Sequence, residues 1–236
     1  MAFVDLNAAQ LTGRQPPPLQ EVESGRWLQP AVAAAYLAMK SAAQQDGINL
    51  QIASGWRDFA RQHSIVAAKL RGERPVFDLM QQQLELSALP FSQKLHAVLL
   101  YSALPGASRH HWGTDLDVFD QAAIAADYQL QLSPSEYADG GPFAPLSDWL
   151  AKHAATFGFF RPYLSYRGGV ATEPWHLSYR PFAKRYLAQL SVELLEAALR
   201  DPAAGTALPE LDQLCTMLPD LWQRFIINID GENYDH

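Results

Sequence analysis

The chain has 236 residues, a formal net charge of -7 and a hydrophobic content of 48%. This length allows a sizeable buried core, either in one large domain or in a domain with an appendage, and we favour the second arrangement. The acidic balance provides no basic surface for nucleic acid, and no apolar run is long enough to cross a bilayer, which excludes nucleic-acid-binding and membrane-spanning classes.

The amino terminus has no basic start, apolar segment or small-residue cleavage site of the kind that marks a secretory signal. Cys215 is the only cysteine of the sequence, so the chain has no internal disulfide framework. Both features agree with a reducing compartment. For a full-length chain, we expect a cytoplasmic location.

The first predicted elements lead to an arginine. Residues 11–30 contain four prolines and predict an irregular arm, which is followed by a helix over residues 31–45. An alternating strand over residues 49–53 then delivers Arg57 at its end, where a new helix starts. The planar guanidinium of Arg57 suits a terminal carboxylate, although a surface ion pair with Asp58 is the alternative.

The middle of the chain predicts a loop and a strand that carry potential metal ligands. Residues 66–104 are mostly helical in pattern, with interruptions at Pro75 and Pro90, and a Pro-Gly-Ala breaker then leads into a loop with His110 and His111. The next segment, residues 114–119, alternates as a half-buried strand does. This alternation places Asp115 and Asp117 on one face, which we expect to look into a cleft.

A second pair of strands predicts where the last ligand lies. Residues 145–156 form a helical pattern, and residues 157–161 and 175–179 are predicted to pair as a hairpin. This hairpin would bring His176 beside Asp117. Trp175 is expected to pack beneath the site.

These residues supply the parts of a hydrolytic zinc site. Zinc accepts neutral imidazole nitrogen and carboxylate oxygen, and a catalytic site keeps one position open for water. We assign His110, Asp117 and His176 as the ligands, with His111 as a rival for the first position. Glu173 is predicted to be the general base, because a fourth protein ligand would displace the water that zinc has to acidify.

The order and spacing of these residues resemble the VanY-type D-alanyl-D-alanine carboxypeptidases, which are related to the lysostaphin and hedgehog zinc folds. The matching positions are Ser54, Gly55, Trp56, Arg57, Gln62, Ser108, His110, Gly113, Asp117, Glu173, Trp175 and His176. The resemblance implies an α+β fold in which helices flank a small antiparallel sheet that carries the zinc site. It also selects His110 over His111 and implies that Arg57, Gln62 and Ser108 contact the terminal D-alanine.

Asp115 is a departure from the pattern of this family, in which a small apolar residue is usual. We predict that Asp115 contacts substrate. It could instead orient a ligand histidine, or simply be solvated.

The predicted activity is removal of a carboxy-terminal D-alanine from a peptidoglycan-derived peptide. A cytoplasmic enzyme that cut D-Ala-D-Ala would destroy wall precursors, so we expect an L,D-carboxypeptidase that trims recycled tetrapeptides. The alternatives are a D,D-carboxypeptidase of pentapeptides, an endopeptidase and a zinc-containing binding module without turnover. The zinc domain is predicted to span residues 1–182, and residues 183–236 are predicted to form a helical appendage. The sequence determines neither the role of this appendage nor the oligomeric state.

Overall fold

A computed structural model describes residues 3–201 and 207–231, and the rest of the predicted appendage lies outside these residues. The helices are α1 Ala8–Leu11, α2 Pro30–Gln45, α3 Phe59–Leu70, α4 Phe91–Leu99, α5 Pro134–Tyr137, α6 Ala144–His153, α7 Arg180–Gln189, α8 Val192–Arg200 and α9 Leu211–Leu221. The strands are β1 Gln20–Glu23, β2 Arg26–Leu28, β3 Leu50–Ser54, β4 Asp115–Asp120, β5 Phe159–Phe160 and β6 His176–Tyr179.

The central feature is a four-stranded antiparallel sheet with the strand order β3-β4-β6-β5. Strand β4 is buried on both faces, because Leu116 and Val118 enter the hydrophobic core while the alternate acidic side chains are also covered. In its pairing with β6, Asp117 lies opposite His176. The prediction of an α+β fold with a small antiparallel sheet and flanking helices is therefore confirmed.

The predicted irregular arm contains a hairpin formed by β1 and β2. Gly25 has a φ of 68°, which a turn of this kind needs and which glycine adopts without a steric cost. The Glu23 carboxylate ties the hairpin to the sheet, because it accepts a hydrogen bond of 2.9 Å from the backbone nitrogen of Ile52. The sequence signal for β1 and β2 was weak because both strands are short and partly exposed.

The long helical prediction over residues 66–104 is wrong between α3 and α4. Helix α3 ends at Leu70, and Gly72 has a φ of 75°, which removes the chain from the helical path. The residues that follow form turns and loops as far as Pro90, which precedes α4. This segment matters because Phe77 and Gln81 line the cavity described below.

The C-terminal helices pack into the same hydrophobic core as the sheet. Leu214, Leu218 and Leu221 of α9 are fully buried within it. Pro219 lies inside α9, and a π-helical turn follows at Trp222–Ile226. The division of the chain at residue 182 stays a prediction. No helix in the described part of the chain combines the length and the apolar character that a bilayer span requires.

Candidate functional site

Three predicted metal ligands meet at the two inner strands of the central sheet. His110 comes from a 3-10 turn, Asp117 from β4 and His176 from the start of β6. His110 Nε2 is 3.4 Å from Asp117 Oδ2, and His176 Nδ1 is 3.2 Å from Asp117 Oδ1. One ligand atom from each residue lies within 4.8 Å of the others.

This geometry fits a zinc ion. Bonds of about 2.0–2.1 Å in a tetrahedral site separate two ligand atoms by roughly 3.3 Å. The two imidazole-to-carboxylate separations, one to each oxygen of Asp117, are close to that value. In addition, Asp117 Oδ1 is buried and has no hydrogen-bond partner among the described residues, so this acceptor is available to a cation.

The remaining ring nitrogens set which atom of each imidazole faces the cation. His110 Nδ1 is 2.9 Å from the backbone oxygen of Gly55, so it donates there and leaves Nε2 free. His176 Nε2 is 2.9 Å from Asp115 Oδ2, so it donates to this carboxylate and leaves Nδ1 free. Each imidazole therefore turns its other ring nitrogen toward Asp117.

The Asp115 carboxylate is hydrogen bonded to His176. Its side chain is completely buried and does not line the cavity, which differs from the predicted substrate contact and excludes the solvated alternative. Besides His176, its oxygens accept hydrogen bonds from Arg109 Nε at 2.8 Å, Ser178 Oγ at 2.9 Å and Thr114 Oγ1 at 2.7 Å. A carboxylate held in this way fixes the tautomer and the angle of the imidazole.

His111, the rival ligand, has a structural position. It is fully buried, its Nδ1 is 2.7 Å from the backbone oxygen of Arg57, and its Nε2 accepts a hydrogen bond from Gly106 N at 3.1 Å. Burial lowers the pKa of the His111 imidazole to about 3, so the ring stays neutral. With both nitrogens bonded to backbone, His111 stabilises the loop that carries His110.

The ligand carboxylate is held in its charged form. Burial disfavours ionisation of Asp117, but the neighbouring imidazoles of His110 and His176 outweigh burial and hold the pKa of Asp117 well below its usual range. The carboxylate is therefore available to a cation at any physiological pH.

Glu173 lies next to this group and faces the open space. Its Oε2 is 3.4 Å from His176 Nδ1, and its side chain is 13% exposed. Glu173 N donates to the backbone oxygen of Tyr163, and Glu173 O accepts from His176 N. The bond between Glu173 O and His176 N closes a short turn, which brings the Glu173 carboxylate beside His176 Nδ1. The carboxylate keeps enough exposure to exchange a proton.

A cavity of about 470 Å³ opens in front of the site, and Arg57, Ser108, His110, Asp117, Glu173 and His176 all line it. Gln62 does not line it and is almost completely buried, which differs from the expected substrate contact. Instead, Gln62 Oε1 accepts a hydrogen bond of 2.8 Å from Arg57 Nη1, and its Nε2 donates to the backbone oxygen of Ala103. Gln62 therefore positions the guanidinium.

Two features of the cavity were missed in the sequence. The ring of Tyr163 packs edge-on against His176 with centroids 5.0 Å apart, and burial raises the pKa of this phenol to about 12. In addition, Phe225 and Ile226 of the π-helical turn line the cavity. No local motif marks Phe225 and Ile226, because their place depends on how the C-terminal helices pack.

The C-terminal wall is fastened to the loop that precedes Glu173. Arg224 Nε donates to the backbone oxygen of Gly168, and the side chains of Asn228 and Arg167 hydrogen bond at 3.0 Å. A Cβ atom added to Gly169 would lie 1.9 Å from the backbone oxygen of Arg224. This contact leaves no room for any side chain at position 169.

We expect Gly169→Ala to lower the free energy of unfolding by about 1–3 kcal/mol, because the added methyl group forces two backbone segments apart. Urea denaturation measures this loss. Ser87→Ala, a change to the same residue type on an exposed loop, is the control and should keep the parental free energy of unfolding. A stability of Gly169→Ala equal to that of the parent would contradict this packing.

Comparison with known families agrees with the geometry. The profile of the VanY family, described as D-alanyl-D-alanine carboxypeptidase, matches residues 25–182. The chain belongs to this VanY carboxypeptidase family. The resemblance inferred from the motif spacing is thereby confirmed.

Curated relatives and solved structures extend this result. An uncharacterized protein of Haemophilus influenzae is 36% identical over 126 residues, which cover 52% of the chain and 93% of that relative. VanYB in complex with D-alanyl-D-alanine has a TM-score of 0.52 at 21% identity, covering 78% of this chain and 88% of that one. A VanY D,D-pentapeptidase solved with Zn(II) has a TM-score of 0.51 at 21% identity, covering 77% and 89%. At these identities the likeness shows the VanY fold.

Proposed function

We propose that the protein is a zinc-dependent carboxypeptidase that removes a C-terminal D-alanine from peptidoglycan-derived peptides. The observation that carries this proposal is the joint placement of the His110-Asp117-His176 group, the Glu173 carboxylate and the Arg57 guanidinium in one cavity. The proposed substrate is also supported by a related structure, because VanYB, which has the same fold, was solved in complex with D-alanyl-D-alanine.

His110, Asp117 and His176 would hold the zinc ion. When bound, zinc acidifies a water molecule and polarises the scissile carbonyl. Glu173 accepts a proton from the attacking water and delivers it to the leaving amine, since its carboxylate lies beside the ligand atoms and is partly exposed. Tyr163 and Trp175 are buried side chains that line the cavity, and the apolar surface of their rings limits the access of bulk water.

Arg57 is the group that reads the chain end. Its guanidinium lines the cavity, and none of the described carboxylates forms an ion pair with it. Because Gln62 fixes one of its nitrogens, the remaining donors are directed in advance toward a planar carboxylate. Ser108, which also lines the cavity, supplies a hydroxyl to the same end of the substrate.

The preferred bond is proposed to be the L,D bond of tetrapeptides that return from wall turnover. This choice depends on the proposed cytoplasmic location, because cleavage of D-Ala-D-Ala there would destroy precursors that the cell is about to use. Both bond types occur among proteins of this fold, since an LdcB LD-carboxypeptidase has a TM-score of 0.50 at 22% identity, with 78% and 79% coverage.

The test is incubation of the zinc-loaded protein with tetrapeptide and pentapeptide muropeptides, with mass spectrometry of the products. Release of D-alanine from the tetrapeptide alone supports the L,D assignment, and release from the pentapeptide alone replaces it with D,D activity. A chelator should abolish either reaction, and added zinc should restore it. Cleavage of amidated chain ends would indicate an endopeptidase, and zinc binding without any release would indicate a binding module.

We expect Arg57→Lys to lower kcat/KM for a peptide with a free C-terminus by about 30-fold, because an ammonium cannot replace both bonds of the planar fork. The measurement is steady-state release of D-alanine at several peptide concentrations. Arg61→Lys, a solvent-exposed change in α3, the helix that follows Arg57, is the control and should keep parental kinetics. An unchanged KM and kcat in Arg57→Lys would exclude Arg57 as the carboxylate site.

A further inference from the structure

The loop that leads to Glu173, residues 162–173, consists of turns and bends without a helix or strand. Its external support comes from residues 224–230, here called the C-terminal segment, whose contacts with the loop join positions 56 to 65 apart in the chain. A loop without regular structure keeps one conformation only through contacts of this kind. The position of the Glu173 carboxylate therefore depends on what holds this loop.

The C-terminal segment and the loop run in opposite directions, and their contacts follow one another in order. Arg224 Nε donates to the backbone oxygen of Gly168. Further along, Arg167 Nε donates to Asn228 Oδ1 at 3.0 Å, and Asn228 Nδ2 donates to the backbone oxygen of Arg167 at 2.8 Å. The segment thus contacts the loop along its length and not at a single point.

Asp230 forms the last of these contacts, at the start of the loop. Its carboxylate accepts hydrogen bonds from Ser165 N at 2.7 Å and from Ser165 Oγ at 2.8 Å, and it lies 3.5 Å from Arg167 Nη1. Its backbone nitrogen donates to the backbone oxygen of Pro162 at 2.8 Å. Asp230 therefore holds the loop both through its side chain and through its backbone.

One dipeptide connects Asp230 to the proposed base. The backbone oxygen of Pro162 accepts from Asp230 N, and the next backbone oxygen, that of Tyr163, accepts from Glu173 N at 2.8 Å. The same Tyr163 packs its ring against His176, with centroids 5.0 Å apart. A displacement of this dipeptide would therefore move Glu173 relative to the metal group.

Other elements hold the metal group and the chain-end site. His110 lies in a 3-10 turn, and Asp117 and His176 face each other in the paired strands β4 and β6. The Arg57 guanidinium is hydrogen bonded to Gln62 of α3. Loss of the Asp230 contacts should therefore displace the base and leave the zinc ligands and the carboxylate site in place.

We propose that Asp230 is a positioning residue, which holds the Glu173 carboxylate within reach of the attacking water through Pro162 and Tyr163. This inference rests on the proposed function, in which Glu173 moves the proton. It gives a role to the C-terminal segment, which lies beyond the residues 25–182 that match the family profile. Proton transfer requires hydrogen-bond distance, and a misplacement of about 1 Å is enough to cost roughly 10²-fold in rate.

The experiment compares D-alanine release by the zinc-loaded full chain in the parent, Asp230→Ala, Asp230→Asn and the exposed control Asp139→Ala. We expect Asp230→Ala to lower kcat by about 10–100-fold, with KM and zinc content unchanged. Asp230→Asn keeps an acceptor oxygen for Ser165 N and should retain most of the parental kcat. Asp139→Ala should keep parental kinetics.

Amide hydrogen exchange gives a second measurement that does not depend on catalysis. The Glu173 amide donates to Tyr163 O, so it should exchange about 10-fold faster in Asp230→Ala than in the parent. The amides of α2 serve as the internal reference and should exchange at the parental rate. Faster exchange in α2 as well would indicate a general loss of stability and would overturn the inference.

Two kinetic results would also overturn it. One is a kcat of Asp230→Ala within a few-fold of the parent, and the other is an equal loss in Asp230→Ala and Asp230→Asn. Failure of the parent to release alanine from any muropeptide would refute the proposed function instead. Exchange at Glu173 then decides alone: faster exchange in Asp230→Ala supports the positioning of Glu173 by Asp230, and equal exchange overturns it.

Discussion

Glu173→Gln should lower kcat for D-alanine release by about 10³-fold, because the amide cannot accept a proton. The side chain keeps its shape, so its neighbours His176 and Tyr163 should stay in place. Peptide binding should persist, and the loss should therefore appear in kcat and not in KM. Steady-state kinetics on the muropeptide that the parent cleaves measures both constants.

The control for this prediction separates proton transfer from metal binding. Zinc content by mass spectrometry should be equal in Glu173→Gln and the parent, because Glu173 is not among the three residues that form the metal group. Glu85→Gln, a change at an exposed position, should keep full activity. If Glu173→Gln retained activity within a few-fold of the parent, another residue would have to act as the base.

Asp115→Asn should weaken zinc binding by about 10–100-fold, although Asp115 does not belong to the metal group. The carboxylate accepts from His176 Nε2 and so keeps Nδ1 unprotonated toward the metal. An asparagine can present its amide nitrogen to the ring and so favour the wrong tautomer. Competition with a chromophoric zinc chelator measures the affinity directly.

The same substitution should also destabilise the metal-free protein. Asp115 and Arg109 form an ion pair of 2.8 Å whose side chains are 0% and 3% exposed, so loss of the carboxylate leaves a buried guanidinium without its counter-ion. The expected decrease in the free energy of unfolding is about 3 kcal/mol. Asp127→Asn, at an exposed position, is the matched control. A normal zinc affinity in Asp115→Asn would show that His176 is oriented by other contacts.

The buried ion pair also explains how an acid is accommodated at position 115. The guanidinium of Arg109 lies 5.1 Å from the centroid of the Trp112 ring and 5.7 Å from that of Phe160, which stabilise its charge. Arg109 Nη2 also donates to Ser178 Oγ at 2.6 Å. Asp115 therefore enters the core together with its own cation and two hydroxyl donors.

Helix positions could be predicted where the local sequence signal was strong. The prediction failed where tertiary contacts determined the ends of a helix. The predicted helix over residues 31–45 corresponds to α2, which ends before Gly47 with its φ of 83°. The predicted helical appendage begins with two separate helices, α7 and α8, because Ser191 Oγ accepts a hydrogen bond from Leu194 N and caps α8. A short cap of this kind competes with continuous helical periodicity and is hard to detect from apolar spacing alone.

The sequence by itself identified the three residues that the structure brings together, because strand alternation points to Asp117 and the resemblance to the VanY family selects His110 and His176. Only the tertiary structure decided what surrounds them. Asp115 meets His176 across 61 positions of the chain, and the C-terminal wall of the cavity comes from residues beyond the family match. Local patterns specify the face on which a side chain lies, whereas its partner depends on strand register and helix packing, which join segments that carry no common sequence signal.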